Sequence, residues 1–518
     1  MTLGDQAVRA AASPSPLRGR LLLTYVPALV VLPVALAPPL NHDVAALLEF
    51  SQRWLGGEAL YARLIDANPP LIFVLNLVPA VLAELTAANA ILALQFCVLI
   101  FAAVVWWLCS RVRKGASEGQ TERLFLDVVP LLLLATAGYE FGQREHLMTL
   151  AALPYLFSAA RRVQGENPPH RAAVTIIAAV AFALKPHFLA IPALVELYLL
   201  VVRGVRSQLR DPVPWIIATV WAAYLAVLPV LFPAYFTVVV PLVRSNYLIL
   251  GDLSFAQMLL VPRMAPALLL LLIPLIMLAA LQNASSRVFS LAALGAAASA
   301  IMQRKGWSYH ILPVELFASV FAGALVTRRL DLLGGWFGRF RHAGVCGLAA
   351  LVVLYEMASG AAPGRELGYA AGPAAAVAEA LKQTAAGRRA LVLSPRIWPI
   401  YPALNYARVR STLRTMNLWV LQGAYKQCLA DGRRYRDPAE MDRAERFVLE
   451  TVSQDLAADP PEVVVIDQIP GIPWCGEEFD LLAYFRRNPT FADTWARYRP
   501  FGARDGLDFY VRTELAKK

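Results

Sequence analysis

Charged residues are scarce in this chain. Only 16% of its 518 residues are Asp, Glu, Lys or Arg, 58% are hydrophobic, and the mean hydropathy is +0.52. Because a soluble domain usually carries about 25% charged residues, this composition excludes an ordinary soluble protein. The sequence also contains no P-loop, no HExxH and no CxxC pair. Chemistry on soluble nucleotides at the cytoplasmic side is therefore unsupported, and the chain is predicted to be a polytopic membrane protein.

Cysteine is rare as well, with five residues in the whole chain. Cys97, Cys109 and Cys346 fall in or near apolar runs, where we interpret them as small buried side chains. Cys428 and Cys475 lie in the polar C-terminal part and are able to form a disulfide if that part is outside the cytoplasm.

Acidic residues are outnumbered by basic ones, which gives a net charge of +11. In a soluble protein this excess would suggest nucleic acid as a partner. Here it is explained by Lys and Arg in cytoplasmic loops, which set the orientation of membrane helices. We therefore predict no nucleic-acid partner.

Eleven apolar runs are long enough to be counted as membrane spans. The first, 21–40, follows Arg9, Arg18 and Arg20 and has no small-residue cleavage site behind it, so we interpret it as a retained helix running outwards. The predicted spans are 21–40, 90–108, 124–138, 147–160, 172–184, 188–202, 214–231, 265–281, 289–302, 311–326 and 344–357.

The short apolar run 71–84 is treated separately. If it crossed the membrane, every later arginine-rich loop would lie on the wrong side. We therefore expect it to lie along or re-enter the outer face, within an outer loop of residues 41–88 that carries interfacial helices. The membrane domain is then 1–360, with its C-terminus outside.

Residues 361–518 differ in character and are predicted to form an extracytoplasmic α/β domain. Helical patterns at 374–386 and 438–456 alternate with short buried-strand patterns at 390–393, 463–466 and 507–511.

Polar residues bordering the apolar runs gather on the predicted outer side. Each ionisable group at membrane depth costs about 2.5–3.5 kcal/mol and usually marks a functional site. We predict that these polar residues form one active site, built from three stretches and a turn. The site contains His42 and Asp43; Arg144, Glu145 and His146; Lys185 and His187; and Arg304, Lys305, Trp307, Tyr309 and His310.

Asp43 is the strongest candidate for catalysis. A carboxylate partly shielded from water is suited to act as a general base toward a hydroxyl group, although an Asp here is also typical of a helix cap. Glu145 begins the next inward helix. It is expected either to interact with the helix dipole, to orient an acceptor, or to hold a metal together with Asp43.

The segment from Arg304 to His310 is suited to an anionic lipid headgroup. Lys binds phosphate as a point charge and Arg as a fork, and the two cations stand beside Trp307 and Tyr309, which suits a headgroup whose chain lies in the bilayer. The competing interpretation is an ordinary aromatic and basic membrane anchor. Lys185 and His187 extend the same anion site.

The order of these motifs resembles the GT-C superfamily of integral-membrane glycosyltransferases, which use lipid-phosphate-linked sugars. The first outer loop opens with Asn41-His42-Asp43 and continues through Trp54-Leu55-Gly56-Gly57 and Tyr61 to Asp66-Ala67-Asn68-Pro69-Pro70-Leu71. Glu145 matches the acid of the second outer loop, and 305–313 resembles the lipid-phosphate region. The resemblance covers 21–325. Two positions depart from the pattern: Glu145 replaces an Asp, and Asn68 replaces a Lys that often precedes Pro-Pro.

The resemblance implies inverting transfer of a sugar from a polyprenyl-phosphate donor to a lipid or glycan acceptor. Asp43 would be the base, and Glu145 would orient the acceptor or bind Mg²⁺ or Mn²⁺. Arg304, Lys305, Tyr309 and His310 would hold the leaving phosphate with help from Lys185. We place His42, Arg144, His146, His187 and Trp307 among the substrate-binding residues, while the C-terminal domain covers the site or recognises the acceptor.

Three alternatives stay open at this point. A ligase would move a whole lipid-linked oligosaccharide, a transporter or flippase would move the lipid-linked sugar across the bilayer, and a degenerate homologue would serve as a structural partner in polymerisation. A transporter usually shows paired halves with polar residues at the bilayer midplane, and this sequence shows neither. The Ala-, Leu- and Arg-rich composition favours a bacterial inner membrane, with the active site on the periplasmic side.

Overall fold

The molecule consists of a helical membrane domain followed by a small mixed sheet covered by helices. The computed structural model describes residues 22–116, 118–333, 340–473, 475 and 478–513. Arg9, Arg18 and Arg20, from which the orientation of the first span was predicted, lie outside these ranges. The main helices up to residue 360 are α1 (Val26–Leu36), α2 (His42–Leu55), α3 (Leu71–Thr86), α4 (Ala90–Val112), α5 (Gln120–Thr136), α6 (Arg144–Val163), α7 (Arg171–Phe182), α8 (Ala190–Arg203), α9 (Pro212–Leu231), α10 (Met264–Met277), α11 (Ala284–Gln303), α12 (Ser308–Leu333) and α13 (Arg341–Ser359).

A helix lies at each of the eleven predicted spans, and six helices in the described ranges are both long and apolar enough to cross a membrane. These six are α4, α8 with the turn before it, α9, α11, α12 and α13. Four other apolar helices, α1, α3, α7 and α10, are shorter. The protein is thus a multi-pass membrane protein, and the number eleven stays a prediction.

Short polar side chains determine where several helices begin. Asn41, Asn89, Asp211 and Asn283 each accept a hydrogen bond from a backbone N–H in the first turn of α2, α4, α9 and α11 respectively. Such caps satisfy N–H groups that a helix leaves without partners at its start. The cap at Asn41 also sets the position of the first outer loop.

Both ends of α3 lie beside the C-terminal domain. Before the helix, the Ile65 amide donates to the Arg414 carbonyl at 2.7 Å. After it, residues 88–90 share a cavity lining with Arg388 and Arg408. A helix that crossed the bilayer would have its ends on opposite sides, so this arrangement agrees with the expectation that 71–84 stays at the outer face.

The C-terminal domain is a five-stranded sheet in the order β2-β1-β3-β5-β4. β1 pairs with β2 and β3 in parallel. β5 is antiparallel to β3, and β4 is antiparallel to β5. Its strands and main helices are α14 (Pro373–Ala385), β1 (Arg389–Leu393), α15 (Ile400–Ala407), β2 (Arg410–Ser411), α16 (Trp419–Ala424), α17 (Arg443–Ala458), β3 (Val463–Asp467), α18 (Leu481–Arg486), α19 (Pro489–Trp495), β4 (Tyr498–Arg504) and β5 (Leu507–Arg512). The predicted strands β1, β3 and β5 are present, whereas β2 and β4 were not predicted. Cys428 and Cys475 form a disulfide.

Helix α2 connects the two parts of the molecule through buried polar contacts. The Glu49 carboxylate accepts hydrogen bonds from the Ser411 amide at 3.0 Å and the Tyr401 hydroxyl at 3.2 Å. Arg53, one turn later, donates to the Leu413 carbonyl at 2.9 Å, and Asn405 donates to the Ala45 carbonyl at 3.0 Å. The helix that carries Asp43 is therefore held directly by the C-terminal domain.

Candidate active site

A cavity of about 510 Å³ lies between the membrane domain and the C-terminal domain; we call it the Asp43 cavity. Side chains of the membrane domain on its wall include Asp43, Asp66, Arg144, Tyr247, Trp307 and Tyr309. The C-terminal domain closes the opposite wall with Trp398, Asn417, Trp419 and Gln422. Residues from three of the predicted stretches therefore line the same cavity.

Asp43 lies in the first turn of α2 with its carboxylate on the cavity wall. Asn41 accepts from the Asp43 amide at 2.9 Å and from Gln143 Nε2 at 2.9 Å. The same Gln143 nitrogen lies 3.3 Å from Asp43 Oδ2. The side chain of Asp43 is 15% exposed, so the carboxylate is oriented by one neighbour and still reachable from the cavity.

His42 lies beside Asp43 and is held in place by Tyr139. Its Nδ1 is 2.7 Å from the Tyr139 hydroxyl, and its Nε2 is 3.8 Å from Asp43 Oδ1. Tyr139 in turn contacts the edge of Trp398 in the C-terminal domain, with ring centroids 6.4 Å apart.

Arg144 is the cation on the wall of the Asp43 cavity. Its side chain is buried, yet Nε and Nη1 have no hydrogen-bond partner, and no carboxylate in the described ranges lies within 4 Å of the guanidinium. The guanidinium carbon is 6.0 Å from the centre of the Tyr309 ring. A buried guanidinium with unpartnered N–H groups is a strong binding site for an anion, because it can donate charge-assisted hydrogen bonds to phosphate oxygens.

Glu145 and Lys185 form a buried ion pair behind this wall. Lys185 Nζ is 2.6 Å from Glu145 Oε1, 3.2 Å from Gln303 Oε1 and 3.3 Å from His310 Nε2. Burial, together with the charge of Arg144, lowers the pKa of Lys185 to about 8. None of these four residues lines the Asp43 cavity, so the cluster is placed to support Arg144 and Tyr309 from behind.

Arg304 and Lys305 lie apart from the cavity wall. Arg304 is 55% exposed and pairs with Asp252 at 3.1 Å. Lys305 Nζ donates to the Tyr247 carbonyl at 2.9 Å and lies 4.4 Å from the centre of the Tyr247 ring. The structure therefore does not bring this pair to the cavity: Arg304, at positive φ, is exposed to solvent, and Lys305 supports a wall residue. Their contact with a bound phosphate stays a prediction.

The two remaining predicted histidines also lie off the cavity wall. His146 Nδ1 accepts from the Gly142 amide at 3.0 Å, which fixes the turn before α6. His187 is half-buried in the turn before α8. We assign both to the structure around the site.

Two acids near the cavity were not among the predicted site residues. Asp66 accepts from the Asn68 amide and side chain, and burial raises its pKa to about 6. Glu140 accepts from Asn41 at 2.9 Å and from the Ser308 hydroxyl at 2.5 Å, and burial raises its pKa to about 7. The Asp-Ala-Asn-Pro-Pro run gave a signal for the first acid, whereas Glu140 is an acid at the end of an apolar run, the kind of residue that often marks a functional site.

A divalent cation held by Asp43 and Glu145 does not fit these donors. Glu145 Oε1 is taken by the Lys185 ammonium, and Arg144 places a second positive charge beside it. Within the described ranges, no group of three or more His, Cys, Asp or Glu residues is arranged to hold a metal ion.

The fold is shared with the membrane protein ArnT, of which two solved structures align over nearly the whole chain. The structure aligns with apo ArnT from Cupriavidus metallidurans at a TM-score of 0.59 and 14% identity, over 97% of this chain and 99% of that one. ArnT bound to undecaprenyl phosphate aligns at 0.56 and 13% identity, over 96% and 98%.

A third solved structure, arabinofuranosyltransferase AftD from Mycobacteria, aligns at a TM-score of 0.45 and 14% identity, over 94% of this chain and 40% of that one. No family model matches the sequence. No curated protein matches it significantly.

Proposed function

We propose that this protein is an inverting glycosyltransferase that moves a sugar from a polyprenyl-phosphate donor to a lipid or glycan acceptor. The observation that carries the proposal is that the oriented carboxylate of Asp43 and the unpaired guanidinium of Arg144 line the same cavity. Asp43 provides a base and Arg144 provides a binding site for an anion, which are the two groups that such a transfer needs. The fold shared with ArnT, which has been solved with undecaprenyl phosphate bound, supports this donor class.

In the proposed reaction, Asp43 accepts the proton of the acceptor hydroxyl as its oxygen attacks the anomeric carbon. The bond between that carbon and the phosphate oxygen breaks, and the electron pair leaves with polyprenyl phosphate. Arg144 offsets the charge that develops on this phosphate, with Tyr309 and Tyr247 beside it. Attack from the face opposite the phosphate inverts the anomeric configuration.

The C-terminal domain is proposed to bind the acceptor at the outer face of a bacterial inner membrane. Its aromatic wall residues Trp398 and Trp419 provide flat apolar surfaces facing Asp43 across the cavity. The Cys428–Cys475 disulfide supports an oxidising compartment such as the periplasm.

The test is turnover of a panel of polyprenyl-phosphate sugars by the purified protein in liposomes. Release of polyprenyl phosphate is measured for wild type, for Asp43→Asn and for Asp493→Asn, an exposed aspartate outside the cavity. We expect Asp43→Asn to remove at least about 99% of turnover, since a positioned base contributes about 10²–10⁴-fold, and Asp493→Asn to match wild type.

Near-normal turnover by Asp43→Asn would overturn the assignment of the base. If no donor is consumed while labelled lipid-linked sugar crosses the bilayer, the protein is a transporter. Consumption of oligosaccharide donors alone would instead identify a ligase.

A further inference from the structure

A second cavity lies where the C-terminal domain meets the loop between α3 and α4; we call it the arginine cavity. Its volume is about 590 Å³, and it shares no lining residue with the Asp43 cavity. Arg388, Arg408 and Arg410 line it together with Arg53 and Arg389. Nothing in the proposed transfer uses this space.

Three of these arginines have no acidic partner. Arg53 is bound by Glu58 and Arg389 by Asp459. In contrast, no carboxylate in the described ranges lies within 4 Å of the guanidinium nitrogens of the other three, Arg388, Arg408 and Arg410, and all three are exposed.

The two acids of the lining, Glu49 and Glu462, offset only part of the charge of its five arginines. Glu49 accepts from the Ser411 amide and the Tyr401 hydroxyl, and Glu462 accepts from the Arg389 amide at 3.1 Å. Both carboxylates are thus directed into protein contacts. The cavity keeps an excess of positive charge, which favours an anionic occupant.

The arginine cavity opens at the level of the lipid headgroups. Helix α3 leaves a row of apolar side chains exposed, including Val78 and Leu85, as expected for a helix lying on the bilayer. The next helix, α4, exposes Leu92 and Phe96 from its first turns and enters the hydrocarbon. Residues 88–90, which line the cavity, connect these two helices and therefore lie at the boundary.

We propose that the arginine cavity binds the phosphate group of an anionic lipid headgroup. Guanidinium groups bind phosphate oxygens through paired N–H donors and tolerate partial desolvation better than ammonium groups. Arg388, Arg408 and Arg410 lie at the starts of β1 and β2. A headgroup bound in the cavity would therefore attach the sheet of the C-terminal domain to the membrane surface. This site is independent of the proposed transfer reaction.

The test is native mass spectrometry of the full-length protein released from nanodiscs that contain phosphatidylglycerol or phosphatidylcholine. The triple variant Arg388→Gln, Arg408→Gln, Arg410→Gln is compared with wild type. The matched control carries Arg497→Gln, Arg499→Gln and Arg504→Gln, three exposed arginines of the same domain that do not line the cavity. Melting temperatures verify that both variants fold.

We expect wild type and control to retain phosphatidylglycerol in preference to phosphatidylcholine. The triple variant should lose about tenfold or more of that preference, because each cation near the surface contributes separately to anionic lipid binding. Displacement of the lipid by millimolar inorganic phosphate would identify phosphate itself as the recognised group, and retention would identify the whole headgroup. The proposal fails if wild type shows no preference between the lipids, or if the triple variant keeps it.

Discussion

Arg144 and Asp43 differ in how their charges are satisfied. Asp43 has the Gln143 amide within 3.3 Å, whereas the guanidinium of Arg144 is buried with two nitrogens unpartnered. A buried unpaired charge destabilises the fold, so such a residue is expected to be kept for a ligand. This distinguishes Arg144 from Arg304, which is solvated and paired.

Replacement of Arg144 should therefore reduce activity without reducing stability. For Arg144→Gln we expect kcat/KM to fall by about 100-fold or more, the usual effect of removing one donor to a developing anion, while the melting temperature stays equal or rises. Arg144→Lys should recover part of the activity because charge is kept without the fork. The measurement is donor turnover beside differential scanning fluorimetry.

Arg304→Gln is the control for this experiment, with turnover expected close to wild type. If Arg304→Gln abolished turnover and Arg144→Gln did not, the phosphate would have to be placed at residue 304.

Glu140 should make the stability of the protein depend on pH. Burial raises the pKa of this carboxyl from its usual 4.5 to about 7. Below pH 4.5 the group is protonated in both the folded and unfolded states, and above pH 7 it is ionised in both. Folded-state stability is therefore fully present at low pH and is lost, by about 3 kcal/mol, as the pH rises through 7.

We expect the melting temperature of wild type to fall between pH 5 and pH 8 more steeply than that of Glu140→Gln. Glu379→Gln, at an exposed position, should follow wild type. Parallel curves for wild type and Glu140→Gln would refute the contribution of Glu140.

At the scale of the element, α3 has the composition of a membrane helix but the connections of a surface helix. Its ends both adjoin the C-terminal domain, and its 16 residues would extend only about 24 Å.

Cysteine labelling tests this arrangement. Ala62→Cys before α3 and Thr86→Cys at its end should both react with a membrane-impermeant maleimide in spheroplasts, and Lys114→Cys, after α4, should react only after permeabilisation. Opposite accessibility of residues 62 and 86 would show that α3 crosses.

Apolar run length predicted the positions of the membrane helices well, because burial in lipid requires continuous hydrophobic sequence. It could not predict β2, which has two residues, or β4, which contains Pro500 and Gly502 and is exposed along most of its length. In the site, the residue types that gather near the cavity were predictable from the sequence, but their partners were not. Arg144 and Lys185 are both basic residues that border apolar runs, so the sequence does not show which of them has an acidic partner. Only the packing of α6 against the turn before α8 brings Lys185 into an ion pair with Glu145.

At the scale of the whole molecule, the Asp43 cavity depends on the docking of the C-terminal domain onto α2. The buried Arg53 lies within 4 Å of the buried Glu49 and donates to a carbonyl of that domain. Arg53→Met should destabilise the protein by about 3–5 kcal/mol, since it leaves Glu49 buried without a cation. Limited proteolysis should then release the C-terminal domain faster than in wild type.

Arg63→Met serves as the comparison. Arg63 is 42% exposed and pairs with Asp455 at the surface, an interaction worth about 0–1 kcal/mol. Equal proteolysis rates for the two variants would show that the Glu49 contacts do not hold the domains together.

The two walls of the Asp43 cavity come from distant parts of the chain: Asp43 and Trp398 are more than three hundred residues apart in sequence. During synthesis, Asp43 is made long before the domain that completes its surroundings. The site can therefore assemble only after the last membrane helix has been inserted and the C-terminal domain has folded against α2. A truncated or stalled chain would present the carboxylate without its opposite wall, so catalytic competence arrives as the final event of biogenesis.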